Sequence, residues 1–236
     1  MANLTQLRML EELNGFLLVD KPAGIAFSTV VKTVKRKFNL VKVGHGGSLD
    51  TMASGLFILL INDANKFAGD LMGADREYTG TLRMGFTTDT GDIHGRPTEP
   101  PREVPPLSEF RGDIFQTEPR FCSVRREGTA DYEVVETGEH TQFLAHVYRF
   151  EVEGGAGDVA ADASLPDVAT RAFSLRASKG VIVRALANDM GATLASLRRT
   201  KIGKFDVADA IPFDRLLETE MKDFSSCVTP LTKALL

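Results

Sequence analysis

Gly44-His45-Gly46-Gly47-Ser48-Leu49-Asp50-Thr51-Met52-Ala53-Ser54-Gly55 sets a carboxylate beside a glycine-rich loop and just ahead of small residues. Glycines let a backbone approach a ligand closely, and small residues leave room for one. Taken alone, the stretch has two explanations: Asp50 faces a ligand, or Asp50 is the N-cap of a following helix. The stretch does not match a phosphate loop, because neither Gly-Lys-Ser nor Gly-Lys-Thr follows. On the C-terminal side, a helix from near Ala53 is the favoured reading, with a strand over the apolar run 56–60 as the alternative. Periodicity cannot decide so short a run. On the N-terminal side, residues 15–20 read as a short buried strand that ends in the turn chemistry of Lys21-Pro22-Ala23-Gly24. Ser28 is a candidate N-cap for a helix to about Phe38. Val30, Val31 and Val34 lie on one side of it, with Lys32, Lys35, Arg36 and Lys37 mostly on the other.

Farther along, residues 78–84 and 143–152 alternate apolar with polar side chains and read as strands, and 173–177 is a further strand candidate. Residues 97–106 hold five prolines and form a surface connector. Residues 154–170, rich in Gly, Ala and Asp, read as a long exposed loop or hairpin tip. Residues 181–197 fit a helix interrupted near Gly191, with Val183, Leu186, Ala187, Met190, Leu194 and Leu197 as its apolar positions. No internal repeat or steady βαβ rhythm is present, so the expected class is α+β with a largely antiparallel sheet.

Composition sets outer bounds. The chain has 236 residues, 43% hydrophobic and 25% charged, enough to bury one sizeable core. Cys122 and Cys227 lie far apart and in no metal-ligand spacing, which argues against a disulfide framework or zinc site and suits a reducing, cytoplasmic setting. The first fifteen residues lack the apolar core of a signal peptide, and no apolar run is long enough to span a membrane. The net charge is −4, but it is unevenly spread: residues 32–45 carry +5, residues 171–204 carry +7, and the other 188 carry −16. Such segregation is what a phosphate-binding face on an acidic body looks like, although two solvated faces would look the same.

The 44–55 stretch resembles the catalytic motif of the TruB family of pseudouridine synthases, a Gly-His-x-Gly-x-Leu-Asp-Pro-x-Ala-x-Gly pattern that holds the catalytic aspartate. The resemblance runs along nearly the whole chain. Lys21-Pro22-Ala23-Gly24 matches the family's opening Lys-Pro-x-Gly. Ala64-Asn65-Lys66 resembles Ala-Thr-Lys, and Arg76-Glu77-Tyr78 resembles Lys-Glu-Tyr. The stretch 85–92, Gly-Phe-Thr-Thr-Asp-Thr-Gly-Asp, is similar to Gly-x-x-Thr-Asp-Thr-x-Asp. Residues 116–138 resemble the segment that clamps an RNA stem-loop. Ser178-Lys179-Gly180-Val181-Ile182-Val183-Arg184 resembles Ser-Lys-Gly-Thr-Tyr-Ile-Arg, and the run 197–205 resembles Leu-Arg-Arg-Thr-x-x-Gly-x-Phe. Eight motifs fall in the family's order. The departures are Thr51 for the motif proline, Glu118-Pro119-Arg120-Phe121-Cys122-Ser123 for the clamp's Pro-Pro-x-Tyr-Ser-Ala, Glu136 for its arginine, and Ile182 for a tyrosine.

The resemblance implies a pseudouridine synthase fold: a mixed, largely antiparallel central sheet flanked by helices and loops. It implies a single catalytic domain over 1–236, an RNA-clamping insertion at about 116–140, and no C-terminal PUA domain. It implies a cytoplasmic isomerase, expected to be a monomer, that acts on the T-loop uridine (position 55) of tRNA without metal or cofactor. Asp50 is the catalytic carboxylate in this reading. Arg184 is the arginine that accompanies it, and an arginine beside a buried carboxylate favours the ionised form. Tyr78 stacks on a flipped base, although a core strand tyrosine is the alternative. His45 fills space that the base vacates, and Lys21 supports the active site, with plain surface roles as alternatives for both. Lys179, Arg198, Arg199 and Lys201 are the candidate RNA-binding cations. Two other readings stand beside this one: a non-catalytic RNA-binding or chaperone protein on the same fold, and a synthase acting on another RNA.

Overall fold

The computed structural model describes residues 13–99, 106–117, 121–125, 132–136, 142–153 and 170–231, of which 121–125 and 132–136 are described by backbone alone. The chain forms two compact units, Met1–Ala74 with Arg199–Leu236, and Asp75–Arg198.

The first unit begins with β1 (Gly15–Lys21) and helix α1 (Phe27–Lys37), followed by β2 (Val43–His45) and β3 (Ser54–Ile61). β3 is antiparallel to both β1 and β2, with Gly15 opposite Ile61 and Lys21 opposite Gly55 in the first pairing. Short segments extend the sheet: Ile211–Pro212 pairs parallel with β1, and Thr229–Pro230 pairs antiparallel with it. α1 buries Phe27, Val30 and Val34 and exposes Lys32, Lys35 and Arg36. Its basic last turn faces the negative end of the helix dipole. Phe38, at its C-terminus, stacks on Phe224 with ring centroids 3.8 Å apart.

Two local expectations are corrected here. The helix starts at Phe27 with Ala26 as its N-cap, so Ser28 sits inside the first turn and caps nothing. The run 56–61 is a strand, each of its residues fully buried. An apolar run buried on both faces carries no period, and pairing on both flanks decides in favour of a strand. Gly55 also bars a helix from Ala53. Its φ is +102°, and a Cβ there would collide with the backbone of Arg199.

The second unit contains β4 (Arg76–Met84), β5 (Gly112–Thr117), the hairpin β6 (Phe121–Arg125) and β7 (Tyr132–Glu136), β8 (Gln142–Val152), β9 (Thr170–Ala177) and helix α2 (Val183–Asp189). Strand β10 (Ala192–Ile202) supplies its first residues to this unit and Arg199–Ile202 to the other. β4, β9, β8 and β5 lie side by side in that order, each antiparallel to the next. The expected strands at 78–84, 143–152 and 173–177 are all present, because alternation with one buried face is the pattern such a sheet imposes.

The helix expected over 181–197 is observed over seven residues only, Val183–Asp189. It ends at Asp189, and Gly191 adopts φ 68°, the left-handed stop of many helices. Residues 192–202 then continue as β10. Residues 100–105 of the proline-rich connector and 154–169 of the expected loop lie outside the described residues. So does most of the expected clamp outside the β6–β7 backbone, which pairs Phe121 with Glu136 and Arg125 with Tyr132.

Candidate active site

In the first unit, Asp50 lies in the loop between β2 and β3, half-buried. Because the chain passes from Asp50 through a turn into β3, no helix follows for it to cap, and the N-cap alternative falls. The loop is tied down along its length. Gly46 N–H donates to Ile58 O at 2.9 Å, and Ala53 N–H donates to Asp50 O at 3.1 Å. Thr51 O accepts from Gly24 N–H at 2.7 Å and from Lys21 Nζ at 3.4 Å.

Two buried cations lie beneath this loop. Arg199, 1% exposed, donates from Nη1 to Ser48 O at 2.8 Å and from Nε to Leu56 O at 2.9 Å, so one guanidinium brackets the segment that carries Asp50. Lys21, fully buried, also donates to Pro22 O at 2.9 Å and Ile25 O at 2.8 Å, which closes the Lys21-Pro22-Ala23-Gly24 turn around its own ammonium. Burial lowers the Lys21 pKa to about 8; Asp50 opposes the shift, and Arg199 adds to it. A carboxylate with two cations is a charge-compensated cluster in a setting where an isolated charge is costly.

His45 ends β2 with its ring between two phenylalanines, centroids 5.2 Å from Phe27 and 5.8 Å from Phe57. Its Nδ1 accepts from Gly47 N–H at 3.2 Å. The ring therefore packs as an aromatic wedge at the start of the Asp50 loop, and is not a loose surface histidine.

In the second unit, Tyr78 is buried on β4, on the same face as Arg76, Leu82 and Met84 and opposite Leu175 of β9. Arg184 is 8% exposed on α2, and its Nη1 donates to Thr90 O at 2.7 Å. Thr90 belongs to the 85–92 motif. Asn188, one turn farther along α2, donates from Nδ2 to Thr88 O of the same motif at 2.9 Å. The motif's acids make local turns: Asp89 accepts from Arg96 N–H at 2.7 Å, and Asp92 accepts from His94 N–H at 2.9 Å.

The proposed RNA-binding cations do not share one environment. Lys179 is exposed and Arg198 half-buried. Lys201 reaches Asp206 at 3.6 Å. Arg199 is a correction: a guanidinium buried on the backbone of the Asp50 loop is not displayed to phosphates. Its structural part escaped a reading based on summed charge, which treats every cation as exposed. The strand parity of β10 was the available signal, because it places Arg199 on the side of buried Leu197. Gln116, also buried, opens the segment that resembles the clamp, and nothing in its sequence context signals its burial. Among the described residues, no three His, Cys, Asp or Glu side chains are grouped to hold a metal ion, and no helix is long and apolar enough to cross a membrane.

A family model described as TruB family pseudouridylate synthase (N terminal domain) matches residues 35–154, about half of the chain. The tRNA pseudouridine synthase B of Opitutus terrae is 35% identical over 244 residues, covering 95% of this chain and 95% of its own. The tRNA pseudouridine synthase B of an Azoarcus species is 37% identical over 218 residues, 86% of this chain and 69% of that one. Among solved structures, a chain of a Cbf5-Nop10-Gar1 complex superposes with a TM-score of 0.64 at 23% identity, over 97% of this chain and 63% of its own length. A chain of an H/ACA RNP bound to a substrate RNA containing 2'-deoxyuridine gives 0.63 at 22%, over 97% and 62%. At those identities the structures speak to the fold, and the curated relatives speak to the family. The chain belongs to the TruB family of pseudouridylate synthases and is an isomerase with the α+β pseudouridine synthase fold.

Proposed function

We propose that this protein isomerises the T-loop uridine at position 55 of tRNA to pseudouridine, with Asp50 as the catalytic carboxylate. The observation that carries the reading is the fixed presentation of Asp50. It is the half-exposed acid of a loop whose backbone is held by buried Arg199 and Lys21. The names of the curated relatives support tRNA as the substrate class.

The reaction breaks the bond from C1′ to N1, turns the uracil and joins C1′ to C5. The C5 proton is lost, and N1 takes one up. No electrons are exchanged and no group is carried away. An ionised carboxylate beside the sugar can attack C1′, accept a proton, or stabilise positive charge on the ribose. Lys21 lies close enough to feel the charge of Asp50, and Lys21 and Arg199 together hold the backbone of the loop that carries it. A uridine within an RNA loop must be flipped out before this chemistry. The resemblance assigns Tyr78 to stack on the flipped base, an interaction worth about 1–3 kcal/mol. His45, wedged between Phe27 and Phe57, is assigned to the space the base leaves.

The test is site-resolved mapping of pseudouridine in a tRNA transcript after incubation with the protein. Modification confined to position 55, and lost when that uridine is replaced by cytidine, is the expected result. Modification of other uridines, or of a different RNA class at a higher rate, would show that the substrate assignment is wrong.

A further inference from the structure

We propose that Gln116 is a positioning residue for the reaction: its buried amide fixes the peptide of Ile182, and with it the first turn of α2, which carries Arg184. The inference rests on the reading of Arg184 as an active-site group. Gln116 lies on β5 and is 1% exposed. Its Nε2 donates to Ile182 O at 3.1 Å, and Ile182 N–H donates to its Oε1 at 2.9 Å. A side chain thus makes the two-bond exchange that paired residues make in an antiparallel ladder.

Helix α2 is poorly equipped to hold its own start. It has seven residues, and an isolated helix needs about 12–15 to be even marginally stable in water. Its N-cap residue is Ile182, which has no side-chain oxygen for capping, and its first turn contains no acid. Ile182 O already accepts the Leu186 N–H at 3.1 Å, so Gln116 adds to the first intrahelical bond and supplies the acceptor for the Ile182 amide. Arg184 follows two residues later, buried, with its guanidinium on Thr90 O. A buried side chain cannot follow a displaced backbone by swinging through solvent. The far end of the helix is held separately, by Asn188 on Thr88 O.

A packing role alone does not account for the residue. A buried amide is costly unless both of its groups are bonded, and an apolar side chain of equal length would fill the same space but leave Ile182 N–H without this acceptor. Here both groups are bonded, and both bonds go to one peptide. The departure at Ile182 from the family's tyrosine leaves this contact intact, because Gln116 reads main chain only.

The test is a double-mutant cycle on single-turnover rates with a saturating tRNA transcript, with transcript affinity measured for each variant. Gln116→Met is expected to lower the rate by between about tenfold and a hundredfold, the scale on which small misplacements act, with affinity within about twofold of wild type. In an Arg184→Met background, the same substitution is expected to change the rate by less than about twofold, since the group it positions is gone. A slow Arg184→Met protein in which Gln116→Met still exerts its full factor would overturn the proposal. So would a wild-type rate for Gln116→Met alone. A wild-type rate for Arg184→Met would instead overturn the reading of Arg184 on which the proposal rests. Should Gln116→Met melt below the assay temperature, Gln116→Glu takes its place in the cycle. It keeps the acceptor for Ile182 N–H, and the same two outcomes decide.

Discussion

Asp50 owes its position to atoms that its own segment does not provide. The carbonyls of Ser48 and Leu56 bind one guanidinium, and that of Thr51 binds an ammonium. The two Arg199 bonds, at 2.9 and 2.8 Å, are charge-assisted hydrogen bonds, each worth about 1.5–3 kcal/mol. Arg199→Met is therefore expected to destabilise the fold by about 3 kcal/mol or more in urea unfolding, while the salt dependence of RNA binding keeps its slope. A slope flatter by about 0.7–0.9 with unchanged stability would mean that Arg199 touches a phosphate after all. Lys21 makes a prediction in pH. Its ordinary pKa of 10.5 falls to about 8 in the folded protein, so between those values the unfolded chain binds more protons. The wild type should then gain stability as pH rises from about 8 to 10.5, relative to Lys21→Met, whose side chain does not titrate. Melting temperatures of the two proteins across that range check the slope, whatever their offset at pH 7. A difference independent of pH would mean that Lys21 is better solvated than its burial implies.

At the scale of elements, the legible parts were those with a single buried face. β4, β8 and β9 alternate, and α1 keeps its valines on one side, so period and structure agree. Residues 56–61 and 192–197 depart from their expected structure for opposite reasons. The first is apolar on both faces and shows no period. The second has leucines whose spacing also satisfies a helix, so the pattern of α2 extends past its true end. Gly191 was visible in the sequence as an interruption, but only its left-handed backbone identifies it as a stop. Alanine there must adopt a conformation that costs about 1–2 kcal/mol. Gly191→Ala is accordingly expected to lose that much stability in urea, whereas a helix running through position 191 would be stabilised by the same change. Strand parity signals that Arg199 is buried, but what Arg199 and Gln116 support shows only in the fold, because each acts on the main chain of a segment more than sixty residues away.

For the molecule as a whole, the ordered set of motifs was legible, and the comparisons place the chain in the family that those motifs resemble. Net charge was the weaker guide. The excess of +7 over 171–204 includes Arg184 and Arg199, both buried, and Arg176, which pairs with Asp75. A sum over sequence cannot separate cations that meet solvent from cations that hold loops. The account's central claim concerns chemistry at Asp50, and Asp50→Asn tests it with almost no change of shape. The measurement is tritium release from a tRNA transcript carrying uridine labelled at C5, under single-turnover conditions, with transcript affinity and melting temperature measured on the same protein. The account predicts wild-type folding and affinity for the variant, with release at least about a thousandfold slower, the order seen when a residue central to covalent or acid–base catalysis is removed. Release within about tenfold of wild type from a folded, tRNA-bound Asp50→Asn protein would contradict it.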